Sequence, residues 1–478
     1  MELTRELQEN SGLRWVLDQL TPMSPFGRTA ARSLHWYEPE QEAELERELD
    51  NVALALKLWK SDNGAALRGV TRCLPLFHDI RGSFDRDPDS PFDLVELFEI
   101  KHFLVLLEQF LQAYEAMSPF EGLSFVPLGE ALALVDPDGR RLPAFAIGDA
   151  YHEGLGPLRA EKSALEKAIR TAGEEEKPAL LERRRMLAVR EDQLELEVRA
   201  DLTQKLMAHR EGFLSDMDAL GHMDLLLAKA RLARQYGCVR PALSRDGTVS
   251  LAGLRHPQVA EELAQRDEEF TELDLELPGG CTVITGANMG GKTVSLRAVT
   301  LSLLLFQCGY FVFARSARLP LFHQAALILA DNGPGAGGLS SFGREVWLLD
   351  KLLRQSGEGR FFLALDEFAR GTNPQEGAAL ARALVRYLGS LDCVSVLTTH
   401  YDGVSDAADA QYQVAGLVRE LEGDEDDDPR RRIARRMDYH LIRTPPGAPC
   451  PRDALRVCRL LNLAPELTGL LQIDSSCF

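Results

Sequence analysis

The chain holds 478 residues, 45% hydrophobic and 27% charged, an ordinary soluble balance that calls for two to four domains rather than one core. Its formal net charge of −19 opposes non-specific attraction to nucleic acid, though a local basic channel is compatible with it. No charge-free apolar run is long enough to span a bilayer, the N-terminal MELTRELQENSG is no secretory signal, and the eight cysteines are scattered, so reduced thiols in a cytoplasmic protein are expected.

Residues 1–118 read as helical. Leu13, Trp15, Val16 and Leu20 recur at helix spacing, and Ser24-Pro25 marks a helix start. Residues 39–60 give a long amphipathic helix. Residues 81–92 form a turn-rich break, after which Ser90-Pro91 with Asp93 resembles a capping box. Residues 131–147, with ALALV, a DPDG turn and RLPAFAI, predict a β-hairpin.

Residues 155–220 predict an antiparallel helical hairpin. Leu158, Leu165 and Ile169 make one seam, and Leu187, Leu194, Val198 and Leu202 the other. Gly173 and Pro178 bracket its tip, where Glu174, Glu175 and Glu176 stand together. Residues 158–200 carry ten basic and ten acidic side chains, the pattern of a solvated coiled-coil face rather than a basic prong. Residues 238–254 predict a second hairpin around Arg245-Asp246-Gly247. An α/β domain follows to about residue 463, interrupted by an acidic run at 420–428 and a basic one at 430–436, a pairing typical of a solvated loop.

The chemistry starts at residues 281–300, CTVITGANMGGKTVSLRAVT. A short β-branched strand breaks into Gly286-Ala287-Asn288-Met289-Gly290-Gly291-Lys292-Thr293 and resumes as an apolar helix. That is the order of a phosphate-binding loop, whose backbone N–H groups and helix N-terminus face the anion. Lys292 would reach the β- and γ-phosphates of ATP, and Thr293 would offer its hydroxyl to Mg²⁺. A glycine-rich turn with a chance Lys-Thr is the competing reading, and the strand-to-helix context argues against it.

A phosphate loop alone indicates binding, not hydrolysis. Residues 361–381, FFLALDEFARGTNPQEGAALA, add a buried strand ending in Asp366-Glu367. Asp366 can hold Mg²⁺ beside the loop, and Glu367 can polarise the attacking water as general base. The strand VSVLTT ends at His400, at the carboxyl end of a parallel strand where such folds bind ligands, which makes His400 a γ-phosphate sensor in this reading.

TGANMGGKT, LALDEFARGTNPQEGAALA and LTTHY are similar to the ATPase motifs of the MutS family. LSSFGREV at residues 339–346 resembles that family's S-T-F-x-x-E-M signature, GYFVFA at 309–314 its G-x-F-V-P-A segment, and LRHP at 254–257 the lead-in to its ATPase domain. The resemblance implies a dimer, or a pairing with a MutS-like paralogue, in which Ser340 and Ser341 reach the partner's ATP in composite sites. It also implies a multidomain layout: a helical lever over 1–157 with a β-hairpin, a coiled-coil clamp-like arm over 158–216, a return of the lever over 217–250, and a P-loop ATPase domain over 251–478 ending in a short helical tail. The wording around Lys292 and Pro374 lies closer to the branch without a mismatch-recognition domain, and that domain, the connector and a nuclease-like domain are expected to be absent. Phe313 and Ala287 each replace a usual proline, and Pro451-Arg452-Asp453 stands where the family has Ser-Tyr-Gly. These departures bear on DNA recognition more than on ATP hydrolysis.

Two functions follow from that resemblance. One is a dimeric Mg²⁺-dependent ATPase closing clamp arms on DNA, in repair or recombination. The other is the same engine acting on a protein client, such as a cobalamin-dependent aminomutase, which the acidic surface would suit. No membrane partner is expected in either.

Overall fold

The computed structural model describes residues 3–60, 64–86, 90–142, 144–286, 291–330, 341–355, 359–417 and 436–450. These fall into two compact units, one formed by Met1–Leu20, Leu34–Ala53 and Lys229–Phe478, the other by Thr21–Ser33 and Leu54–Ala228.

The first unit carries two sheets. Its strands in chain order are β1 (Ala242–Leu243), β2 (Val249–Leu254), β3 (Leu273–Leu277), β4 (Gly280–Thr285), β5 (Ser316–Leu319), β6 (Gln324–Ile328), β7 (Phe361–Leu365), β8 (Cys393–Thr399), β9 (Ala410–Leu417) and β10 (Met437–Thr444). The larger sheet runs β10-β9-β4-β8-β7-β6, parallel throughout except for the antiparallel edge β10. Every residue of β4, β7 and β8 is buried, as expected of interior strands of a parallel sheet, and β7 is a wholly apolar run. By contrast β3, LDLEL, alternates buried and exposed, the period-2 pattern of a half-covered strand.

The helix Lys292–Gln307 has thirteen buried residues, so its apolar run is a core element. Among the described residues no helix is long and apolar enough to cross a membrane. Gln307, buried at its end, donates to the carbonyls of Tyr37 and Phe322 and accepts from the Phe322 N–H, which satisfies the whole amide. Lys229 and Glu48 pair at 2.6 Å with both charges buried, and the Cys308 carbonyl takes a further ammonium proton at 3.2 Å. Neither charge is left alone in a low dielectric.

The second unit is helical. Its core gathers Phe26, Phe77, Phe84, Phe103, Phe110 and Phe213, with ring centroids 4.6–6.2 Å apart in tilted, edge and stacked pairs. Ser24 caps the helix Pro25–Arg32 as predicted, and the buried Asp224 carboxylate accepts from the Ser24 N–H at 2.6 Å and its hydroxyl at 2.8 Å. The helix Leu94–Glu115 opens on a full capping box, with Asp93 as cap and Glu96 reaching back. Leu155–Thr171 and Lys177–Met207 pack together as the expected helical hairpin, burying Leu165, Leu194, Val198 and Leu202.

Two expected hairpins are not formed. Within residues 131–147 the chain makes a helix, Gly129–Val135, which buries Ala131, Leu132 and Val135 at helix spacing. The following Asp136 is no mere turn residue, since its carboxylate pairs with Lys101 at 3.0 Å and with Arg141 at 2.9 Å. The contact with Lys101, thirty-five residues earlier, helps fix a conformation that the local pattern does not announce. Residues 238–254 do contain two strands, yet β5 lies between them, parallel to β1 and antiparallel to β2. Pairing with a strand more than sixty residues away outcompetes the local turn.

Candidate functional site

The site lies at the carboxyl ends of β4, β7 and β8, neighbours in the sheet order β4-β8-β7. Gly291 stands at φ +77° as the cap of the helix Lys292–Gln307, and a Cβ there would approach Tyr439 Cδ1 at 3.2 Å. Glycine satisfies both the left-handed backbone and the close aromatic neighbour. Ala287, Asn288, Met289 and Gly290 lie outside the described residues, as does Ser340. Ser341 opens the helix Ser341–Gln355.

Lys292 is 4% exposed, and its ammonium donates to the Gly286 carbonyl at 2.7 Å. It also pairs with Glu367 Oε1 at 3.4 Å. The Thr293 hydroxyl donates to Asp366 Oδ2 at 2.7 Å. On the other side, Thr398 donates its hydroxyl to Asp366 Oδ1 at 2.7 Å and accepts the Glu367 N–H at 2.8 Å. One threonine at the end of β8 therefore fixes the positions of both acidic residues.

Glu367 and Ala369 hold left-handed φ values of +46° and +64°, a conformation that non-glycine residues adopt at a cost of about 1 kcal/mol or more. The strained turn directs Glu367 inward, where Arg370 donates to Oε2 at 2.9 Å. His400 Nδ1 lies 4.0 Å from Glu367 Oε1. Burial pushes the His400 imidazole below its ordinary value, with the Lys292 and Arg370 charges adding to that and Glu367 opposing. A neutral ring at pH 7 is the consequence. Glu345, on the helix Ser341–Gln355, is buried and accepts the Ala369 N–H at 3.2 Å. Burial raises its carboxyl, and nearby Asp366 raises it further.

Thus Lys292, Thr293, Asp366, Glu367 and His400, chosen from separate stretches of sequence, meet in one place. Thr398, Glu345 and Arg370 belong to the same web without having been singled out. The signal for Thr398 was a hydroxyl pair ending a mostly apolar strand. Asn373, within the quoted GTNP stretch, has a structural job as the cap of the helix Pro374–Leu388.

An ammonium, a hydroxyl–carboxylate pair and a second carboxylate at strand ends can bind a phosphate chain with a hard cation and activate water. Asp366 and Thr293 present oxygen donors only, the chemistry Mg²⁺ takes.

Residues 282–430 match the family described as MutS domain V. The chain is 29% identical over 286 residues to the protein named Endonuclease MutS2 from Levilactobacillus brevis, covering 59% of this chain and 34% of that one. It is 32% identical over 216 residues to Endonuclease MutS2 of Carboxydothermus hydrogenoformans, covering 45% of this chain and 27% of the relative. It is 33% identical over 220 residues to the DNA mismatch repair protein MutS of Natronomonas pharaonis, covering 46% and 25%. The matched stretches thus span about a third or less of these relatives' lengths.

Proposed function

We propose that this chain, which carries MutS domain V, is a MutS-like ATPase that hydrolyses ATP to ADP and phosphate with Mg²⁺ and couples the cycle to DNA. The observation that carries the reading is the Asp366–Thr293 hydrogen bond standing beside the Lys292–Glu367 ion pair, both spanning from the end of β4 to the end of β7. Thr293 and Asp366 would hold Mg²⁺, which supplies neutralisation of the phosphate charge when bound. Gly286, Ala287, Asn288, Met289, Gly290 and Gly291 would cradle the phosphates with Lys292.

Lys292 pairs with Glu367 and donates to the Gly286 carbonyl. In this reading a phosphate oxygen replaces Glu367 as its counter-charge. Glu367 then keeps Arg370 and becomes free to accept a proton from water, as a general base does. Neutral His400 completes the site as a donor toward the terminal phosphate. The test is Mg²⁺-dependent phosphate release by the purified chain, abolished in Lys292→Ala.

Composite sites in a dimer, with Ser340 and Ser341 supplied across the interface, belong to the same proposal, as do the lever, arm and ATPase divisions read from the sequence. The relatives are named for mismatch repair and endonuclease activity, which favours DNA as the client. None of those names points to reactivation of a cobalamin enzyme.

A further inference from the structure

The geometry points to a divalent transition-metal site, of the zinc class, formed by His78, Glu99 and His102 in the second unit. It goes beyond the ATPase reading and uses none of its residues. One ligand atom from each of the three side chains lies within 4.8 Å of the other two. Glu99 and His102 are three residues apart on the helix Leu94–Glu115, which places them on one face. His78 comes from the segment after the turn Leu74–Leu76, and its Nδ1 is 2.7 Å from Glu99 Oε2.

Two imidazoles and one carboxylate are a ligand set that zinc accepts, with water in the fourth position. Bonds of about 2.0–2.1 Å at tetrahedral angles place ligand atoms about 3.3 Å apart. The His78–Glu99 contact would therefore open by roughly 0.6 Å to admit the ion in place of the shared proton. Neighbouring groups favour this. Phe98 stacks on His102 with centroids 6.1 Å apart and planes 22° apart, which limits ring rotation. The rings of His78 and His102 face each other at 5.5 Å and 35°. Lys101, between the two helical ligands, turns its ammonium to Asp136 at 3.0 Å with only 9% of its side chain exposed. No cation from that residue competes for the place. The His78 side chain is 63% exposed and Glu99 26%, so the ion can enter without unfolding. Bound metal would tie the segment bearing His78 to the long helix.

The full chain, stripped with a chelator, is titrated with Zn²⁺ under excess Mg²⁺, which occupies oxygen-donor nucleotide sites. Co²⁺ serves as a second probe, through the visible absorption of a low-coordinate site. One Zn²⁺ per chain is expected, with a raised melting temperature, as binding to the folded state alone requires. His78→Ala, His102→Ala and Glu99→Gln should each weaken uptake on the order of 100-fold or more and erase the cobalt band. Should an alanine variant fail to fold, Glu99→Gln, which keeps the side-chain volume, carries the test. Absence of stoichiometric uptake by the wild type, or unchanged uptake in Glu99→Gln and His102→Ala, overturns the proposal and leaves His78–Glu99 a surface ion pair.

Discussion

The Thr293 hydroxyl donates to Asp366 Oδ2 at 2.7 Å, joining the first turn of the helix after β4 to the tip of β7 although β8 separates those strands. The contact closes over the end of β8, and Thr398 occupies that end. Both oxygens of Asp366 are thereby held by hydroxyls, one from the helix after β4 and one from the end of β8.

Thr398 is accordingly a positioning residue. Thr398→Val keeps the volume but leaves the Glu367 N–H without its acceptor, a loss of about 1–3 kcal/mol for a buried donor. Turnover should fall roughly 10- to 100-fold while nucleotide affinity stays near wild type. Thr398→Ser should restore most of it. Steady-state phosphate release and a nucleotide titration read the two quantities, and an unchanged turnover in Thr398→Val would contradict the role.

Much of this site was legible because its residues end apolar strands. TGANMGGKT, LALDE and LTTH each show a buried run stopping at a polar group, and a parallel sheet brings such ends together. The sheet order itself was not legible, since β5 inserts between β1 and β2 through a pairing with no local trace. Nor was the helix at 129–135, whose alternating Ala-Leu-Ala-Leu satisfies both periods until burial decides between them. Glu345 and Arg370 lie within quoted motifs, yet their motifs assign neither a role, for a related reason. Exposed and buried charges look alike in sequence, and only the left-handed turn at Glu367 and Ala369 brings these two to the site.

The proposed sharing of sites across a dimer makes a mixing experiment informative. Ser341→Ala should depress hydrolysis while its own loop still binds ATP, and Lys292→Ala should be inactive. Mixed, the two should recover activity in heterodimers that keep one intact pairing of Lys292 with the partner's serine. Full activity from a strictly monomeric preparation would refute sharing.

Two buried groups should give stability opposite dependences on pH. His256 accepts the Val259 N–H at Nδ1 and donates from Nε2 to the Ser11 carbonyl, so it is held neutral. Burial pushes it down to about 4, with the Arg297 charge adding. The unfolded chain then binds more protons between about pH 6.5 and 4, and this contribution, about 3 kcal/mol, is complete above 6.5 and lost as pH falls. Asp216 is buried with Oδ2 unpartnered and Oδ1 bonded to the Val126 N–H, and burial pushes it up to about 6. Its folded form holds the proton more tightly, so its penalty is fully present above pH 6 and relieved as pH falls toward 3.8. Unfolding midpoints across pH 4–8 should show His256→Gln losing the acid-induced drop and Asp216→Asn losing the opposing rise. A wild-type slope in His256→Gln would exclude that source.

The helical arm contributes little to DNA binding in this account. Arg159 bonds Asp149, Glu191 and Glu195, Lys162 bonds Glu191, and Arg183, Arg184 and Arg185 each pair with a glutamate. These cations are paired within the arm, and affinity depends on cations that displace counterions from the phosphates. Binding should be weak at physiological salt, and neutralising the arginines at 430–436 should remove most of what remains. A tight, steeply salt-dependent complex surviving that change would return the arm to the DNA interface.

In the proposed mechanism Glu367 activates water beside a phosphate chain held by Lys292. Glu367→Gln keeps the side-chain volume and removes the base. Purified wild type and variant are compared for ATP binding and for phosphate release with Mg²⁺ present. Retained binding with turnover lowered roughly 10²-fold or more is expected. Equal turnover in the two proteins would contradict it.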